Sequence, residues 1–143
     1  SMWRSGMQII RDYPLTGIGV GTMAQVFQRY REPEADIPPT RRLGHLHNNI
    51  IQIAAERGLL GLLCWLWIWV AYLYHTWHIY RRLPSGQSAL RALVVGSVAS
   101  VLGFHVAGMF EHTYGDAEVI SLLYFLMALP FVVQRVQRAA EAA

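Results

Sequence analysis

The chain has 143 residues, 54% of them hydrophobic and 15% charged, whereas an ordinary soluble domain is about 25% charged. With a mean hydropathy of +0.28 it reads as a membrane protein. All basic residues are arginines, and the net charge of +3 is not clustered on a soluble face, which argues against a nucleic-acid partner; the lone Cys64 lies in an apolar run and excludes an intrachain disulfide or a cysteine-pair metal site.

The opening "SMWRSGMQII" has neither an initiating methionine at its first position nor the basic, apolar, small order of a signal peptide. The expectation is a fragment of a longer protein, with residues 1–57 forming a polar, loop-like region outside the membrane. In it an amphipathic helix is expected at about 2–12, then a Pro-Leu-Thr-Gly turn, a glycine-rich loop "GIGVG", and a second helix at about 22–31. The glycines lack the third glycine and the preceding strand of a dinucleotide fingerprint, so a close backbone turn is their expected use. A proline-rich loop, "EPEADIPPTRRLG", follows.

Residues 58–143 then predict three membrane spans, at about 58–80, 89–110 and 117–133, each within the roughly 17–25 residues that the hydrocarbon thickness requires. The fold class is therefore an all-α polytopic membrane protein, three transmembrane helices preceded by an outer helical loop region. Arg81, Arg82 and Arg91 flank the first connector and Arg135 and Arg138 the tail, whereas the second connector carries Glu111, Asp116 and Glu118 and no arginine. The positive-inside rule then puts the C-terminus in the cytoplasm and the N-terminal segment on the outer side, with Tyr72, Tyr74, Trp77 and Tyr80 as an inner aromatic belt. In span two Ala99, Gly103 and Ala107 form a small-residue stripe that admits a neighbouring helix. Asp116 is placed to cap span three, with Glu118 in its first turn.

The reactive side chains lie in "HLHNN" at 45–49, just before the first span. An imidazole with an unperturbed pKa of about 6.5 can accept a proton near neutral pH, which makes His47 the candidate general base. His45 is a candidate supporting contact, and Asn48 a helix cap that also steadies the imidazole. His45 and His47 could also ligate a metal with His112, Glu111 or Asp116, but nothing else stands at ligand spacing, and the site is read as metal-free, with no cofactor. His105, inside span two, is a functional candidate because polar side chains there are costly, with a helix-packing histidine as the alternative; His75 and His78 read as interfacial. Arg41, Arg42 and Arg4 are the candidate phosphate-binding arginines, their planar forks matching phosphate oxygens.

His47-Asn48, then nine residues, then Gly58-Leu59-Leu60-Gly61 at the outer lip of a span resembles the bacterial O-antigen ligase family. "DYPLTGIGVG" is similar to that family's Pro-x-x-Gly-x-Gly segment, and "FEHTYGDAEV" to the turn before its last helix. The resemblance implies the C-terminal portion of a metal-independent transferase of C-type glycosyltransferase architecture in the bacterial inner membrane. Such an enzyme moves a glycan from undecaprenyl diphosphate to lipid A-core at the periplasmic face, and direct displacement would invert the anomeric centre. It also implies His47 as base, the arginines on the donor diphosphate, and Gly58 and Gly61 as sites of close packing or bending. The family's essential outer-loop arginine normally stands just before the aromatic matching Trp3, a position this sequence does not include. A polymerase of the same superfamily, differing in its acceptor, shares the pattern. A transporter or membrane scaffold is the reading from another class, and it would call for ionisable groups at mid-membrane.

Overall fold

In a computed structural model, residues 2–30 and 44–142 are described. Among them there is no strand. The helices are α1 (Met2–Asp12), α2 (Met23–Val26, running into a 3-10 turn at Phe27–Arg29), α3 (Asn49–Arg82), α4 (Ser88–Ala107) and α5 (Ala117–Glu141). Three of them, α3, α4 and α5, are long and apolar enough to cross a membrane. The chain forms two compact units, residues 1–66 with 107–113 and residues 67–106 with 114–143.

The first unit is built around Ile9, Met23, Phe27, Leu46 and Ala55, all nearly inaccessible. The expected helix at 22–31 shortens to α2 and its 3-10 turn. Tyr30 then donates its hydroxyl to Asp12 Oδ2 (2.7 Å), and the carboxylate pushes the phenol up to about 12. The proline-rich loop lies almost wholly outside the described residues.

α3 begins nine residues before the expected span and is broken at Gly58, whose φ of 70° and ψ of −179° belong to a region that is essentially glycine-only. Leu59 N–H, which in an unbroken helix would pair with the Ala55 carbonyl, donates to Pro14 O (2.7 Å). The glycine loop takes over the released acceptors: Ile18 N–H reaches Ala55 O and Gly19 N–H reaches Glu56 O, both at 2.9 Å. A Cβ on Gly58 would stand 2.1 Å from Leu15 O, and one on Gly17 2.4 Å from the Glu56 carbonyl carbon. The two glycine motifs are thus the two halves of one joint.

In the second unit, Ile79, Leu83, Val94 and Val133 form a core. Pro130 interrupts α5 and, lacking an N–H, leaves the Leu126 carbonyl without its helical donor. Ser97 of α4 donates to that carbonyl (2.6 Å) and is itself paired with the Tyr72 hydroxyl (2.5 Å). Because the serine proton goes to Leu126, Tyr72 donates to Ser97. One buried hydroxyl therefore ties three spans where no water would satisfy the carbonyl.

α4 stops at Ala107, short of the expected 110, because Gly108 O accepts Asn49 N–H (2.7 Å) and Met109 O accepts from Asn48 Nδ2 (2.9 Å). α5 continues past the expected 133 through "QRVQRAAE", which is rich in strong helix formers. Asp116 stands at its N-cap without a side-chain cap bond, and Glu118 lies in the first turn.

Candidate active site

"HLHNN" leads into α3 with Leu46 fully buried between His45 and His47, which are both half-buried. Leu46 is held by polar groups as well. Its N–H donates to Gln52 Oε1 (2.8 Å), Gln52 Nε2 donates to Glu56 Oε1 (2.9 Å), and the same oxygen accepts Gly21 N–H (3.1 Å). Gln52 and Glu56 are both buried, so this chain of bonds runs from the glycine loop to the backbone between the histidines.

Asn48 and Asn49 fasten the same stretch to the turn after α4. Asn48 Oδ1 accepts Ile51 N–H (3.0 Å), the side-chain N-cap bond expected of that residue type, while its Nδ2 binds Met109 O. Asn49 Nδ2 donates to Thr113 Oγ1 (3.1 Å), and its Oδ1 pairs with His112 Nδ1 (3.1 Å). Two side-chain amides thus organise residues 108–113.

This arrangement brings Glu111 to His47. The His47 Nδ1 lies 2.8 and 2.9 Å from the two carboxylate oxygens. Glu111 also accepts His112 N–H at 2.9 Å; that bond and the one from His47 hold its carboxyl below the usual carboxylate range. An ionised carboxylate only accepts, so Nδ1 carries a proton, and in the neutral ring Nε2 holds the lone pair. His47 has a φ of 51°, a left-handed backbone uncommon outside glycine. The His45 ring packs edge-on against His47 with centroids 4.3 Å apart, its Nδ1 3.5 Å from the same Glu111 oxygen.

Ligand atoms of His45, His47 and Glu111 lie within 4.8 Å of one another, close enough for a cation. The two uses exclude each other at His47: a metal on Nδ1 would leave the proton on Nε2 and abolish the base.

Of the other expected site residues, Gly58 forms the joint above, and a Cβ on Gly61 would stand 2.4 Å from Arg57 Cβ. Arg4 is an exposed residue of α1, and Arg41 and Arg42 lie outside the described residues. His105 belongs to the second unit, where its Nδ1 binds Val101 O (2.8 Å) and its ring meets Trp69 edge-on at 4.5 Å. As a site residue Glu111 is visible in the sequence only as a possible metal ligand, and nothing in the motif points to Asn49, Gln52 or Glu56. A polar residue in the first turns of an otherwise apolar helix was the available signal for the last two.

Fold and site together define a polytopic helical membrane protein that carries a histidine–carboxylate pair beside its first span. Residues 1–66 match the family model described as O-antigen ligase, the family whose motifs the sequence resembles. The matched stretch contains His47, Asn48, Gly58 and Gly61, and Glu111 lies beyond it. No curated protein matches the chain.

Proposed function

We propose that the chain is the C-terminal catalytic part of an O-antigen ligase-type enzyme of C-type glycosyltransferase architecture, which transfers a glycan from undecaprenyl diphosphate to lipid A-core at the periplasmic face of the bacterial inner membrane. The observation that carries this reading is the paired contact of His47 Nδ1 with both Glu111 oxygens. It leaves Nε2 as a proton acceptor in a half-buried site, the arrangement a general base requires. The acceptor sugar hydroxyl attacks the anomeric carbon as its proton passes to Nε2. The bond from that carbon to the diphosphate oxygen breaks, and undecaprenyl diphosphate leaves with the electron pair.

Glu111 acts through His47, fixing the tautomer and balancing the positive charge that grows on the ring. Arg4, Arg41 and Arg42 are the candidates for the leaving diphosphate, and His45 for a supporting contact. The reaction needs no metal or cofactor. A lipid-linked donor has its diphosphate at headgroup depth, which accounts for a reactive loop placed directly before a membrane helix.

The test is glycan transfer by the full-length protein carrying His47→Ala, in cells lacking the native gene, with membrane levels followed by blot. Loss of polysaccharide-capped lipid A-core while the protein persists is the expected result. Unchanged capping overturns the base assignment. A wild-type protein that lengthens lipid-linked chains and never caps lipid A-core replaces ligation by polymerisation.

A further inference from the structure

The arginine-rich end of the second unit holds side chains that the proposed chemistry does not use. α3 and α5 end there, and in segments 79–91 and 131–142 five arginines face one acid, Glu141. Arg91 is committed: its Nη1 donates to Leu83 O (2.9 Å), and its guanidinium lies 4.1 Å above the Tyr80 ring. Arg82 and Arg138, from the last turns of α3 and α5, instead line one cavity of about 350 Å³. Neither guanidinium has a hydrogen bond or ion pair with any described residue. Glu141 borders the neighbouring recess, but its carboxylate is held by Gln137 Nε2 at 2.8 Å, and no acid lines the cavity itself.

The lining changes character along the helix axes. Tyr74 and Phe131 stand at the end deeper in the spans, His75, His78 and Gln134 come next, and the two arginines close the end nearest the helix C-termini. From Tyr74 to Arg82 the helix rises roughly 12 Å, long enough to meet a phosphate at one end and the upper part of an acyl chain at the other. Free phosphate would use only the arginine end of such a gradient; an amphiphile uses all of it.

We infer that this cavity binds the headgroup of an anionic phospholipid from the leaflet in which α3 and α5 end. Arg82 and Arg138 take the phosphate oxygens, the imidazoles and Gln134 meet the glycerol and ester oxygens, and the acyl chains lie against Phe131 and the outward apolar faces. Guanidinium pairs suit this because they stay charged and donate in matched forks, and basic pockets between membrane helices are where acidic headgroups are recognised. The site is independent of the His47 chemistry.

The full-length protein in detergent, titrated with phosphatidylglycerol or phosphatidylcholine and read by native mass spectrometry, tests this. Wild-type protein is expected to retain phosphatidylglycerol about tenfold more tightly than phosphatidylcholine, and Arg82→Gln/Arg138→Gln to lose that preference. Arg81→Gln/Arg135→Gln removes equal charge outside the cavity and is expected to change retention by less than about threefold. Equal losses in the two double variants, or equal retention of the two lipids, would overturn the site. Retention of phosphatidylglycerol that inorganic phosphate abolishes at comparable concentration would assign the cavity to free phosphate and overturn the lipid. Should the first double variant not fold, Arg138→Gln alone, at the exposed end of α5, is expected to weaken phosphatidylglycerol several-fold and leave phosphatidylcholine unchanged; no change overturns the inference.

Discussion

Replacing Glu111 by Gln keeps the size of the side chain and leaves one oxygen for the two donors it now serves, so it isolates the negative charge. With Glu111 Oε1 2.8 Å from His47 Nδ1, the charge centres of an imidazolium and the carboxylate are roughly 4 Å apart, an attraction of about 1 kcal/mol in water and about 4 kcal/mol at an effective dielectric constant of about 20. The side chains are 35% and 52% exposed, so solvent screening puts the value towards the lower end. A loss of about 1–2 kcal/mol as the ring gains its proton in the transition state lowers kcat roughly 5- to 30-fold, with KM for the donor little changed. Glu111→Ala, which also releases the tautomer and the His112 amide, is expected to fall further. The pH dependence has a definite sign. Because the Glu111 carboxyl is held below its ordinary range, its contribution is present above the unfolded value of about 4.3 and is lost only as pH falls through the lower folded value. The carboxylate itself therefore stays ionised from about pH 5.5 upward, so an acid limb in that range does not come from Glu111. Initial rates of glycan transfer in proteoliposomes across that range measure the deficit of the Gln variant. A Gln variant within twofold of wild type at every pH refutes the role given to the carboxylate.

Gly58→Ala forces a residue with a Cβ into a region that costs about 1–3 kcal/mol, with backbone atoms 2.1 Å away that have to move; the expected result is rapid proteolysis of the 1–66 unit and loss of activity, and normal protease resistance would contradict the joint. Asn48→Ala removes a helix cap of about 1 kcal/mol and the tie to Met109 O of about 1 kcal/mol, so a stability loss of about 2 kcal/mol in a denaturant titration is expected, with an unchanged midpoint opposing it. Chelator treatment of purified enzyme is expected to alter the rate by less than about twofold, and a loss restored by added zinc would transfer His45, His47 and Glu111 from base chemistry to metal binding.

The three spans were legible as apolar runs of membrane length and α1 as an amphipathic spacing, both of which local chain physics determines. Helix ends were less legible, because partners distant in the chain set them. α4 stops where it does since Asn48 and Asn49, some sixty positions earlier, take the carbonyls and side chains of 108–113. The Gly58 break was foreshadowed by a glycine at the membrane edge, yet what fills it is the amides of Ile18 and Glu56's partner Gly19. The motif made His47 conspicuous, whereas its carboxylate partner sits 64 positions away in a turn whose acids also read as helix caps. A pairing of that separation leaves no periodic trace.

The left-handed backbone of His47 bears on whether the residue is structural or chemical. A non-glycine residue in this region is uncommon, although histidine, like asparagine, adopts it more readily than most, so the conformation carries a modest cost that the surroundings have to hold. The strain persists because the neighbours over-determine it: Leu46 is pinned through Gln52, Asn48 is pinned as a cap, and Glu111 takes the imidazole by both oxygens. Such over-determination fixes the ring's position and its tautomer together, and a base needs both to be set before the acceptor hydroxyl arrives. The buried Gly21–Glu56–Gln52 chain then has a purpose in the same scheme. It couples the glycine joint at the start of the first span to the backbone beside His47, so the two separated motifs of the sequence bear on one side chain.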